Sequence, residues 1–187
     1  AVIWGEYDAG RVRANITMRN EAADWVNPVD SPAQLALAIN EAVPGAAQAL
    51  AFYALGRVYR DENEVATALE LFEQALALKP SDRDMRASLH FYVGALLPVV
   101  EGQTAPVMTA AIEAYTAAFA LRPDWENIQY NRGTALLGRA LLSSEERADL
   151  DAAIADLSAV IDRLPENPAP LINRGIAYYQ RNDVGDA

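Results

Sequence analysis

The sequence predicts a mainly α-helical chain built of stacked helix hairpins, with a short β-hairpin at its N-terminus. Three observations carry that expectation. Alanine is abundant along most of the chain, one spacing of apolar residues occurs three times, and a β-former-rich stretch at residues 1 to 7 is followed, after a turn, by residues 11 to 18 alternating with the two-residue period of a strand. With 187 residues and 52% hydrophobic composition, there is ample apolar surface for a core.

In chain order, the first element is the hairpin. Ala1 to Tyr7 is rich in β-formers, Asp8-Ala9-Gly10 offers a turn, and Arg11 to Met18 alternates. Val12, Ala14, Ile16 and Met18 share one side; Arg11, Arg13, Asn15 and Thr17 share the other. A lone hairpin is marginal in water, so this one is expected to pack on a helix, pair with another chain, or be the remnant of a larger sheet. A short helix follows. Asp30-Ser31-Pro32 caps it, Leu35, Ile39 and Ala42 line one face, and Val43-Pro44-Gly45 ends it. Residues 1–48 are thus one region and 49–187 another.

The second region is repetitive. Phe52, Leu55, Gly56 and Tyr59 belong to one helix, and Ala68, Phe72, Ala75 and Pro80 to the next, with Asp61, Glu62 and Asn63 as turn formers between. Ala111, Tyr115, Ala118 and Pro123 repeat the spacing of that second helix, and so do Ala153, Leu157, Val160 and Pro165. Ten residues beyond each proline stand His90, Gly133 and Gly175. The last two occupy matching triplets, Asn131-Arg132-Gly133 and Asn173-Arg174-Gly175. Counted this way, insertions of 9 and 8 residues lengthen the second and third links. The first contains Pro98, Gly102 and Pro106; the second contains Ser143, Ser144 and two glutamates.

The small residue at the crossing, the aromatic or leucine beside it, the later alanine and the closing proline resemble the tetratricopeptide repeat. The resemblance covers residues 49–187: repeats at about 49–82, 83–125 and 126–167, and the first helix of a fourth at 168–187. It implies a right-handed α-α superhelix. Small residues stand where paired helices cross closely, and aromatics fill the gaps beside them. His90 departs from the pattern, and a register through Gly94 is the alternative. Ala187 falls at the alanine position of a fourth second helix, so the chain is expected to be cut from a longer protein.

The resemblance also implies a concave face, lined by the first helix of each hairpin, that holds a peptide or partner segment. Its positions here are Tyr53, Arg57 and Arg60 in the first repeat and Phe91 in the second. The third supplies Asn127, Tyr130, Asn131 and Thr134, and the fourth Ile172, Asn173, Ile176 and Tyr179. Asn131 and Asn173 suit ligand backbone because an amide donates and accepts at once, unless they serve only their own helix surface. Arg57 and Arg60 suit a carboxylate. The lysine and arginine clamp of chaperone-binding members is not reproduced.

Other function classes find little support. The net charge of −11 and the absence of a basic stripe argue against nucleic acid. There is no cysteine, no apolar run of membrane-spanning length, and no signal-peptide pattern. The single histidine, His90, sits among Leu89, Phe91 and Tyr92 and reads as a packing residue. The acidic groups Asp61, Glu62 and Glu64, and Glu145, Glu146 and Asp149, read as solvated turns rather than metal sites. The expectation is a non-enzymatic, cytoplasmic interaction scaffold without cofactor or metal. The alternative is a self-association or regulatory module of a larger bacterial signalling protein, pairing through the hairpin or the uncapped last helix.

Overall fold

The computed structural model describes residues 2–8, 11–17, 46–142 and 146–185. The expected helix at residues 31–42 lies outside them. The chain divides into two compact units, Ala1–Pro80 and Ser81–Ala187.

In the first unit, backbone strands β1 (Val2–Asp8) and β2 (Arg11–Thr17) run antiparallel, with Val2 opposite Thr17 and Asp8 opposite Arg11. The helices, not this ribbon, establish the fold class. Helices α1 (Ala46–Asp61) and α2 (Val65–Ala77) form a hairpin. Its turn is closed by Glu64 N–H donating to Tyr59 O at 2.8 Å, and Asn63 takes a positive φ of 65° that asparagine tolerates. Phe52, Leu55 and Tyr59 of α1 and Ala68, Phe72 and Ala75 of α2 are all buried. These are the residues that the repeat spacing selected.

The second unit holds α3 (Arg83–Val100), α4 (Ala105–Leu121), α5 (Glu126–Ala140), α6 (Glu146–Arg163) and α7 (Pro168–Gly185), each packed on the next in sequence, with α5 also touching α7. Caps set the boundaries of α3 and α4. Asp82 Oδ1 accepts from Met85 N–H at 2.6 Å at the start of α3, and Thr104 Oγ1 accepts from Val107 N–H at the start of α4. Ala111, Tyr115 and Ala118 of α4 and Ala153, Leu157 and Val160 of α6 are buried. Pro80, Pro123 and Pro165 each stand just beyond the second helix of a hairpin.

The extra residues of the second and third hairpins do not chiefly lengthen links. The links are 62–64, 101–104 and 141–145, nearly alike. Instead α4 and α6 begin six and seven residues before Ala111 and Ala153, whereas α2 begins three before Ala68. The expected insertions are therefore mostly extra helical turn. Pro98 lies inside α3 rather than in a loop, while Gly102 supplies the positive φ of 85° that the link requires.

The second repeat runs through Gly94, not His90. A Cβ on Gly94 would lie 3.1 Å from Ala111 O and from the Tyr115 ring, just as one on Gly133 would meet Leu157 at 3.0 Å and Ala153 O at 3.4 Å. Gly94 is thus the close crossing. The count of ten from Pro80 failed because α3 carries one more turn before it. His90, four residues earlier, holds the place that Phe52 takes before Gly56, a side-chain packing position.

Candidate protein-binding surface

In the first unit the predicted residues share one face of α1 at spacings of four and three. The Tyr53 ring is half-buried, 6.2 Å from the Phe72 ring, and the Arg57 guanidinium stands 5.9 Å from the Tyr53 centroid with its side chain exposed. Arg60 Nε donates to Asp61 Oδ1 at 3.0 Å, so much of its charge is met within the helix.

In the second unit α5 and α7 bring three predicted residues together. Asn173 Nδ2 donates to Thr134 Oγ1 at 3.0 Å and lies 3.5 Å from Tyr130 Oη. Thr134 in turn donates to Tyr130 O at 2.9 Å. The donor side of Asn173 is thereby fixed, while no described residue donates to its Oδ1. That carbonyl is aimed by the network and open to an N–H from outside. Around it α7 exposes Ile172 at 61%, Ile176 at 40% and Tyr179 at 66%, an apolar stripe at helical spacing.

The other predicted residues are differently placed. Asn131 Nδ2 donates to Asn127 O at 2.7 Å, one turn back on its own helix. Asn127 itself is exposed. Phe91 is half-buried, its ring 4.8 Å from Trp125 and 5.9 Å from Tyr115. In the Gly94 register it aligns with Tyr53 and Tyr130, each three residues before a crossing glycine.

Sequence reasoning missed the ion pairs that hold α5 to α6. Arg132 forks onto Asp156 through Nε and Nη2, both at 2.7 Å, and stands 4.5 Å over the Phe119 ring. Arg139 forks onto Asp149 at 2.7 and 2.6 Å and also donates to Thr109 on α4. Asp149, read from sequence as a solvated turn residue, is buried in α6. The signal available was an arginine before the crossing glycine and an aspartate three after the crossing alanine.

Residues 49–82 match the family model described as tetratricopeptide repeat. Those residues are a tetratricopeptide repeat. The further hairpins are of the same helix-pair construction. Among solved structures, this repeat chain is similar to the first TPR of Spaghetti (RPAP3) bound to the HSP90 peptide SRMEEVD. Identity is 15%, covering 71% of this chain and 91% of that one, with a TM-score of 0.56. It is also similar to the Hsp90 co-chaperone Cns1 from Saccharomyces cerevisiae, at 18% identity and a TM-score of 0.57 over 74% of this chain and 40% of that one. At those identities the likeness shows the fold. A comparison with curated proteins finds no match.

The remaining chemistry of the repeats is that of packing. Among the described residues no group of three or more His, Asp or Glu is placed to hold a metal ion, and no helix is long and apolar enough to cross a membrane. Burial pushes the Tyr115 hydroxyl far above its ordinary range and holds it neutral. Burial first, and the nearby Arg86 second, lower the His90 pKa below its ordinary 6.5. Above pH 6.5 His90 is neutral folded or unfolded and adds no pH dependence. Below it the unfolded chain takes the proton more readily, so stability falls as pH drops below 6.5. His90→Gln is expected to flatten that part of the urea-midpoint profile, measured between pH 7.5 and 5.

Proposed function

We propose that this repeat protein is an interaction scaffold that binds a peptide or partner segment on the first-helix faces of its hairpins. The Asn173 amide carries the reading. Its donor side is locked on Thr134 and Tyr130, its acceptor is open, and Ile172, Ile176 and Tyr179 are exposed beside it. An amide flanked by apolar side chains suits a bound segment that offers a backbone N–H and an aliphatic or aromatic side chain. Within the second unit, Phe91, Asn127 and Asn131 belong to the same proposal as further contacts, as does a right-handed winding of that unit's hairpins. The first unit is proposed by itself to offer Tyr53, Arg57 and Arg60 on α1, and its N-terminal β-hairpin.

The neighbour bound to an HSP90 peptide supports peptide capture as the mode but does not carry its ligand over. The chain has a single lysine, Lys79, which lies in the turn after α2 rather than on α1. Arg60 is met by Asp61. Recognition here is therefore more apolar than acidic.

Peptides selected from a random library against the whole chain test this. Ile172→Ser and Tyr179→Ser, both at exposed sites that leave the fold intact, are expected to weaken selected peptides at least about tenfold, the equivalent of about 1.4 kcal/mol. Unchanged affinity in both variants would overturn the reading. SRMEEVD, titrated alongside, is expected to bind more weakly than the selected sequences. Self-association through the hairpin or the last helix is the alternative. It predicts instead a dimer in light scattering and peptides that compete with dimer formation.

A further inference from the structure

Successive helices of the second unit run antiparallel, and two contacts fix which ends meet. Arg122, just beyond α4, donates to Asp84 at the start of α3 at 3.1 Å. Arg139, in the last turn of α5, donates to Thr109 near the start of α4, also at 3.1 Å. Met108 packs beside Gly138 in the same place, where an added Cβ would stand 3.2 Å from Met108 Cε. The C-terminal ends of α3 and α5 therefore flank the start of α4, at the end of the unit that carries the links 101–104 and 141–145.

This end is apolar and uncovered. Val99 and Val100, in the last turn of α3, are 64% and 39% exposed; Leu141 and Leu142, which close α5, are 54% and 49% exposed. Pro106, in the first turn of α4, is exposed as well. The first hairpin, taken by itself, ends otherwise: α1 closes on Arg60 and Asp61, and Glu62, Asn63 and Glu64 follow. The two lengthened hairpins thus carry large aliphatic side chains where the short one carries polar groups. Charge at this end is one-sided. Glu101 stands at the C-cap of α3, against the negative end of the helix dipole, where a carboxylate is disfavoured. The last turn of α3 has no basic residue, and among the described residues no ion pair reaches Glu101. Arg139, the basic residue in the last turn of α5, is held by Asp149. Glu145 and Glu146 follow in the sequence, with Arg147 beside them.

We propose that this end docks a cationic amphipathic segment of a partner protein. The segment lays aliphatic side chains on Val99, Val100, Leu141 and Leu142 and sets lysine or arginine against Glu101 and the carbonyl end of α3. Each half has a physical source. Large aliphatic side chains exposed together at one end favour an apolar cover. An acid at a helix C-terminus that no cation meets favours a cation from outside, which offsets both the carboxylate and the dipole. A second copy of this chain and an anionic bilayer fit less well, because each brings negative charge onto Glu101, the chain's own net charge being −11. The surface is separate from the peptide-binding one, since Tyr130 and Leu141 stand about 16 Å apart along α5 at the rise of a helix.

The probe is a fluorescent peptide of leucine and lysine patterned as an amphipathic helix, titrated into the whole chain by anisotropy at physiological salt. Saturable binding is expected. Val99→Ser combined with Leu142→Ser is expected to weaken it at least about tenfold. Both positions are exposed, and circular dichroism checks that the helices persist. Glu101→Lys is expected to weaken it about threefold or more, and to strengthen binding of a control peptide with glutamate in place of lysine. The same variants are expected to leave unchanged the affinity of those library-selected peptides that Ile172→Ser weakens, so failure here and failure of the peptide surface are told apart. Absence of saturable binding, or binding indifferent to the aliphatic double variant and to Glu101→Lys, overturns the proposal. Light scattering that shows a dimer of the native chain made monomeric by the double variant assigns the end to a second copy. Sedimentation with phosphatidylserine vesicles that the double variant loses assigns it to a bilayer. Either result overturns the proposal as well.

Discussion

Asp156→Ala is expected to destabilise the second unit by about 3 kcal/mol, seen as a lower urea midpoint. The carboxylate accepts two bonds from Arg132 at 2.7 Å, and both side chains are largely shielded from water. Removing it leaves the guanidinium wedged between α5 and α6, over the Phe119 ring, without its counter-charge. The loss is thus mostly the cost of a stranded charge rather than the worth of the pair. Replacing both partners by leucine removes that cost, and the double variant is expected to recover most of the stability. If Asp156→Ala were neutral, water would be reaching Arg132 and the pair would be ornamental.

The glycine substitutions are expected to differ in sign. Gly56→Ala would set a methyl 2.6 Å from Cε1 and 2.7 Å from Cδ1 of Phe72, whose ring is fully buried and has little room to retreat. A loss of about 1–3 kcal/mol is expected from that overpacking. Gly56→Ala combined with Phe72→Leu should cost less than the sum of the two, because the leucine vacates the ring edge. Gly175→Ala meets nothing, and alanine favours helix over glycine by about 1 kcal/mol, so that variant is expected to be neutral to stabilising. Thermal midpoints of both variants check the pair. A loss at Gly175 equal to that at Gly56 would mean that α7 is covered after all.

What could be read from the sequence follows from the same geometry. The spacing of Ala68, Phe72 and Ala75, repeated at Ala111 and Ala153, reports where two helices cross, and every one of those residues is buried. Spacing reports a crossing but not the length of helix leading to it. That is why counting from Pro80 reached His90 when the crossing lies one turn on at Gly94, and why extra turns in α4 and α6 looked like loop. Charges were harder still. Asp149 meets Arg139 across a chain reversal, and nothing in a run of acidic residues distinguishes the one that turns inward. The surface was partly legible. Asn173 was named for its chemistry and stands beside Thr134 and Tyr130, whereas Asn131, of the same type in the same triplet, bonds its own helix at Asn127.

The scaffold reading is tested most directly by NMR titration of the ¹⁵N-labelled chain with a library-selected peptide. The account predicts shifts concentrated on the Asn173 side-chain amide and on the backbone of Tyr130, Thr134, Ile172, Ile176 and Tyr179. Shifts confined to other helix faces, with these signals unmoved at saturation, would contradict it.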